Sequence, residues 1–104
     1  MVEYRHLDAT YDALANPVRR RILAELGDGE RRVTELARPF DMSLAAVSKH
    51  IRQLERAGLV RRRVAGRDHW LRLDPAPLGP AEAWIAQARA FWNGRLDALE
   101  ELVT

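Results

Sequence analysis

Ser43–Gly58, SLAAVSKHIRQLERAG, reads as a helix with both ends marked in the sequence. Ser43 can accept a hydrogen bond from the free N–H groups of the first turn, the N-cap role. Gly58 can take the left-handed conformation that closes a helix. Between them Val47, Ile51 and Leu54 fall at i, i+4 and i+7, which gives one narrow apolar stripe. The opposite face carries Ser48, Lys49, Arg52, Gln53 and Arg56. An apolar back with a small, polar and cationic front suits the major groove of DNA. The same pattern also describes an ordinary surface helix with a solvated face. The flanking segments decide between the two.

Upstream, Thr34 is placed to cap a short helix through Glu35–Arg38, and Pro39 hinders its continuation. Phe40 reads as a core plug, and Asp41-Met42 form the turn into Ser43. A short helix, a tight turn and a longer helix make a helix-turn-helix over residues 34–58. Further back, Asn16 is a good N-cap and Pro17 suits the first helical position. A helix then runs Pro17–Leu26, with Val18, Ile22 and Leu26 on one side, and ends at Gly27-Asp28-Gly29. Its Arg19, Arg20 and Arg21 spread over much of the circumference and are expected mostly in solvent with local pairing. Asp8–Ala15 reads as another short helix, so residues 8–26 form the N-terminal helices. Residues 1–7 read as a loose arm, and Arg31–Thr34 as a brief extended piece.

Downstream, Leu59–Leu73 changes period. LVRRRV, AGRD and HWLRL read as strand, turn and strand, a two-stranded hairpin over residues 59–73. It carries Arg61, Arg62, Arg63 and Arg67 directly after the candidate recognition helix. Charge can protect an edge hairpin from aggregation. Four arginines against one nearby acid, Asp68, fit better a wing over the phosphate backbone, which Arg binds bidentately and with constant charge. A long helix follows, from about Ala81 to Leu102. Its stripe of Trp84, Ala88, Phe91, Trp92, Leu96 and Leu99 exceeds what a small core needs and is expected to pair with a second copy over residues 80–103.

Composition bounds the possibilities. With 104 residues the chain reads as one small domain over 1–104. There is no Cys, hence no disulfide and no thiolate metal site. No long apolar run or signal-like N-terminus is present, so a cytoplasmic protein with no membrane partner is expected. The net charge of +2 hides an asymmetry. Residues 17–73 hold fourteen Lys/Arg against seven Asp/Glu, while the segments on either side are net acidic. A basic middle between acidic ends points to a localised polyanion-binding face.

The runs LANPVRRRILAEL, VTELARPFDMSLAAVSKHIRQLERAGLVRR and LDPAPL, followed by a Trp/Phe-rich helix, resemble the ArsR/SmtB-type winged-helix regulators from about Tyr11 to Leu102. The chain is most similar to the small cysteine-free branch often encoded beside SRPBCC-domain proteins. The resemblance implies a mainly α, winged helix-turn-helix fold with about five helices. It implies a bacterial homodimer joined through its first and last helices, with Tyr11 and Leu14 added to the last-helix stripe. Its partner would be double-stranded DNA carrying an imperfect palindrome. Family base-reading positions fall at Ser43, Leu44, Ala45, Ala46, Ser48 and His50. Leu44, Ala45 and Ala46 depart from the polar residues common there and can touch only thymine methyls. Lys49, Arg52 and the wing arginines would then carry affinity, and His50 would meet a base or a phosphate.

The family's metal sites do not carry over. The last helix has Glu82, Asp97, Glu100 and Glu101 but no His, and His6, His50 and His69 sit in separate elements. No metal and no cofactor is expected. Any signal would be a small apolar ligand or a protein partner at the aromatic helix. An enzyme is not expected, because no nucleophile–base pair or phosphate-binding loop is recognisable. The competing reading is a protein–protein module whose basic face takes an acidic partner.

Overall fold

The computed structural model describes residues 2–103. The elements are α1 (Val2–Leu14), α2 (Pro17–Leu26), β1 (Arg31–Arg32), α3 (Val33–Ala37), α4 (Leu44–Arg56), β2 (Val60–Ala65), β3 (Asp68–Leu73) and α5 (Leu78–Val103). Met1 and Thr104 lie outside the described residues, and so do the ends of the expected 1–104 span. Five helices and an antiparallel hairpin are present as the sequence reading expected. The sheet has a third strand, in the order β1-β3-β2.

The core is built by the middle of the chain. Ile22 and Leu26 of α2, Leu36 of α3, Val47, Ile51 and Leu54 of α4, Leu59, Val60 of β2 and Leu71 of β3 are buried together. The three α4 residues are the stripe read from the sequence. Each such side chain contributes about 1.5–3 kcal/mol when fully withdrawn from water. The terminal helices add little to this core. Among the described residues α5 buries only Ala81, and α1 adds Ala13 and Thr10. α5 therefore projects, and the molecule measures 66 × 30 × 22 Å.

The ends of α2 and α4 form as their sequences dictate. The Asn16 Oδ1 accepts from the backbone N–H of Val18 and Arg19 at 2.8 and 3.2 Å, with Pro17 opening the helix. Ser43 Oγ accepts from Ala46 N–H at 3.1 Å. Gly58 takes φ 77°, its N–H donates to the Glu55 carbonyl, and the Leu59 N–H donates to the Leu54 carbonyl. That pair of bonds is the Schellman closure, which requires the left-handed residue that Gly58 supplies. At the wing tip, Gly66 takes φ 62° as the first residue of the two-residue Gly66-Arg67 loop, the position where a hairpin turn favours glycine.

Four expectations are corrected. Residues 2–7 are helical rather than a loose arm, since α1 begins at Val2. The buried Thr10 hydroxyl donates to the His6 carbonyl one turn back, and α5 packs along α1. Thr34 lies inside α3 and does not cap it. Arg31 and Arg32 pair with Leu71 and Trp70 of β3, so the helix must start at once at Val33. Arg32 Nε bridges its first turn to Glu35 at 2.8 Å. α5 begins at Leu78, three residues early, because Pro80 is tolerated within a first turn. Finally, Arg19 is buried rather than solvated, at 8% exposure.

Candidate nucleic-acid interface

α4 exposes only part of the face read from the sequence, since Ser48 and Gln53 are half-buried and Gln53 accepts from Arg19. Ser43, Leu44, Ala45, Lys49 and Arg52 are exposed, while Ala46, Ser48 and His50 are half-buried. Lys49 and Arg52 have no ion-pair partner among the described residues. Ser43 spends its hydroxyl on the helix cap, so its part in any contact starts from an occupied acceptor.

His50 is set by Arg19. The Arg19 guanidinium spans the joint between α1, α2 and α4. Its Nε donates to the Ala13 carbonyl at 2.8 Å and its Nη2 to the Asp12 carbonyl at 2.7 Å. Its Nη1 donates to Gln53 Oε1 and lies 3.3 Å from His50 Nδ1. A donating guanidinium requires Nδ1 to accept, which places the imidazole proton on Nε2. Burial, followed by the charges of Arg19 and Lys49, holds the His50 pKa below its ordinary value. The ring is therefore a neutral Nε2–H donor at neutral pH. The same guanidinium places a cation at the C-terminal carbonyls of α1, where a helix dipole favours one. Arg20 adds a bond to the Leu14 carbonyl at 2.7 Å.

The wing follows in register. Val60, Arg61, Arg62, Arg63, Val64 and Ala65 lie opposite Leu73, Arg72, Leu71, Trp70, His69 and Asp68. Alternation puts Arg61 and Arg63 on the outer face with Arg32, Trp70 and Arg72, and turns Arg62 towards α4. Trp70 sits between two guanidinium groups, each 5.5 Å from its ring centre, Arg32 on one side and Arg63 on the other. Arg72 lies directly across from Arg61, an arrangement of like charges that costs stability without counter-ions.

Those counter-ions correct the count of acids made from the sequence. Arg61 Nε meets Asp74 at 2.9 Å, Arg62 Nη2 meets Glu55 at 2.7 Å, and Arg63 Nη2 meets Glu30 at 2.6 Å. The acids come from α4, from the residue after β3 and from the residue before β1, not from the turn. Hydrogen bonding to Arg63 lowers the Glu30 pKa from its ordinary value. The Ala76 N–H and then Arg61 do the same for Asp74. Arg62 is the least exposed of the three and also reaches His69 Nδ1 at 2.9 Å. It is a brace between wing and α4. Arg61 and Arg63 remain outward, and exposed ion pairs are weak enough for a phosphate to replace the acid. Arg67 at the tip has no ion-pair partner among the described residues.

The expected partner-facing residues divide. Trp84, Phe91, Trp92, Leu96 and Leu99 are roughly half exposed or more along α5, and Ala88 is half-buried. Tyr11 is committed within its own chain, its hydroxyl donating to the Ala81 carbonyl at 2.7 Å and its ring edge-on to Trp84. Leu14 packs against the core. Sequence reasoning did not count Arg72 or Arg32 among the contact candidates and did not foresee Arg19 as a bracket. Among the described residues no three His, Asp or Glu side chains are placed to hold a metal ion. No helix there is long and apolar enough to cross a membrane.

Known proteins bear on this arrangement. Residues 14–63 match the family model described as a helix-turn-helix domain. The chain is 36% identical over 103 residues to the HTH-type transcriptional regulator Rv2034 of Mycobacterium tuberculosis, covering 99% of this chain and 94% of that protein. A crystal structure of the ArsR family transcriptional regulator RHA00566 superposes with a TM-score of 0.81 at 38% identity, over 86% of this chain and 92% of that one. A homodimeric winged helix-turn-helix DNA-binding domain from Mycobacterium bovis, described as a possible ArsR-family regulator, superposes with a TM-score of 0.64 at 26% identity. It covers 91% of this chain and 85% of that one. By these relatives and by the match of its helix-turn-helix, the chain belongs to the ArsR family of helix-turn-helix transcriptional regulators.

Proposed function

We propose that the chain works as a homodimeric, metal-independent repressor, and that residues 1–104 act as one DNA-binding unit. In this reading α4 of each copy enters a major groove of an imperfect palindrome, and each wing follows the adjacent phosphates. The observation that carries it is that both parts of the winged helix-turn-helix expose cations: Lys49 and Arg52 on α4 and Arg67 at the wing tip without ion-pair partners among the described residues, and Arg61 and Arg63 on the wing in exposed pairs that a phosphate can replace. Ser48 and the Nε2–H of His50 supply polar contacts to bases, and Leu44, Ala45 and Ala46 supply apolar contact with thymine methyls. Arg62 acts mainly by holding the wing against α4.

Dimerisation is supported by the exposed α5 stripe and by the homodimeric state of the Mycobacterium bovis relative. Two-fold pairing would place two copies of α4 about one helical turn of DNA apart. Metal independence rests on the donor set, which has no Cys and keeps its three His in separate elements. Regulation by occupancy of DNA, in the cytoplasm and without catalysis, accords with relatives that are transcriptional regulators. Selection of bound sites from random duplexes tests the reading. Enrichment of a two-fold symmetric motif is expected, and recovery of unselected sequence would overturn it.

A further inference from the structure

One cavity shares Arg61 with the wing and Trp84 with the α5 stripe, and neither DNA reading nor pairing accounts for the rest of its lining. It has a volume of about 560 Å³ and lies between α1, the C-terminal turn of α4 and the start of α5. That volume falls within the range of small-molecule sites. Leu7, Pro77, Pro80, Ala83 and Trp84 supply flat apolar walls. The polar wall is unevenly charged. Asp74 is spoken for by Arg61 and by the Ala76 N–H. Arg56 also lines the cavity and has no ion-pair partner among the described residues.

We propose that this cavity is an effector site for a small aromatic carboxylate, its ring against Trp84 and the two prolines and its carboxylate on Arg56. A guanidinium favours a carboxylate over a neutral or cationic head group, and this cation is the cavity's uncompensated charge. The rigid walls suit a planar ring better than a flexible chain, which would lose more freedom on binding. The inference rests on the proposed regulatory function, because the cavity touches both of its working parts. Arg56, Ala57 and Gly58 close the reading helix, and Arg61 and Asp74 form the root of the wing. A carboxylate held on Arg56 adds negative charge at the root of the wing, in the cavity that Arg61 also lines, and lowers affinity for DNA phosphates. The apolar stripe from Phe91 to Leu99 lies further along α5 and stays available to the second copy.

The test uses the full chain and three probes of one shape: naphthylacetate, its neutral amide, and naphthylethylamine. Nuclear magnetic resonance follows the indole N–H of Trp84, assigned with Trp84→Phe, and the backbone amides of Ala57 and Gly58. Saturable shifts of these signals by naphthylacetate are expected below about millimolar concentration, with the amide at least roughly tenfold weaker. Arg56→Gln should abolish that preference while leaving the amide's weak binding in place. Ala83→Phe, which fills the cavity but keeps Arg56, should block both probes. No saturable shift, equal binding of all three probes, or shifts confined to Phe91–Leu99 would each overturn the site. Binding of naphthylacetate with no fall in affinity for a selected duplex would overturn the effector role. Failure to bind any duplex, with the carboxylate still bound, would count against the DNA reading instead.

Discussion

The Arg19 guanidinium lies 3.3 Å from His50 Nδ1 and so joins the end of α1 to α4. One buried side chain thereby sets the tautomer of a candidate contact residue and the seat of α4 against α1. The cation is held by two carbonyls and Gln53 as well as His50. Removing it leaves those acceptors unpaired in a buried site.

Arg19→Met should therefore destabilise the fold by about 2–4 kcal/mol, the scale of losing several hydrogen bonds to a charged group. Arg19→Lys should recover less than half of that, because an ammonium lacks the planar fork that reaches both helices. Urea unfolding at one fixed protein concentration measures both, since a dimer's midpoint moves with concentration. A loss below about 0.5 kcal/mol for Arg19→Met would mean that the bracket is idle.

His50 gives a pH dependence with a definite sign. Its folded pKa is lowered from 6.5, by burial first and then by Arg19 and Lys49. The unfolded chain thus binds the proton more readily. The stability contributed by the neutral ring is complete above 6.5 and is lost as pH falls through the window between that value and the lowered one. Unfolding measured near about pH 7.5 and about pH 5.5 should show a larger loss in the parent than in His50→Gln. Equal losses would remove His50 as the source.

The wing's acids should hold its arginines back from DNA. Glu30→Gln frees Arg63 from its partner and should raise affinity for every duplex, most at low salt. Arg61→Ala with Arg63→Ala should weaken all duplexes about equally, because phosphate contacts carry no sequence. Ser48→Ala should instead narrow the gap between preferred and unrelated sites. Binding assays with a selected site and a scrambled one separate the two behaviours. Matching losses in both variants would reverse the roles given to wing and helix.

Ser43 and Gly58 test the helix ends. Ser43→Ala should cost about 1 kcal/mol by removing the bond to the Ala46 N–H. Gly58→Ala should cost a similar amount, about 1–2 kcal/mol, because an L side chain resists the left-handed φ of 77°. Pro77 Cγ at 3.5 Å leaves room for the methyl itself, so the cost is conformational. Thermal unfolding reads both, and an unchanged midpoint for Gly58→Ala would contradict the closure assigned to it.

Much of this was legible because it is local. Ser43, Gly58 and the Val47–Ile51–Leu54 stripe announce α4 within sixteen residues, and Asn16-Pro17 announces α2. The unread features depend on partners in other elements, which meet only once those elements pack. Nothing near Arg61–Arg63 shows that Asp74, Glu55 and Glu30 will meet them, since the sheet and α4 must pack first. The same holds for Arg31-Arg32, whose strand exists only through β3. Arg19 did leave a signal. It stands three, four and seven residues before Ile22, Leu23 and Leu26, on the core-facing stripe of α2, where Arg20 and Arg21 do not.

The most direct test of a paired, cationic, DNA-reading surface is the salt dependence of binding to a selected two-fold symmetric duplex. If each copy neutralises roughly four phosphates, the logarithm of affinity should fall against the logarithm of salt with a slope near about −7, at two chains per duplex. A slope near zero, or saturation at one chain per symmetric site, would contradict it.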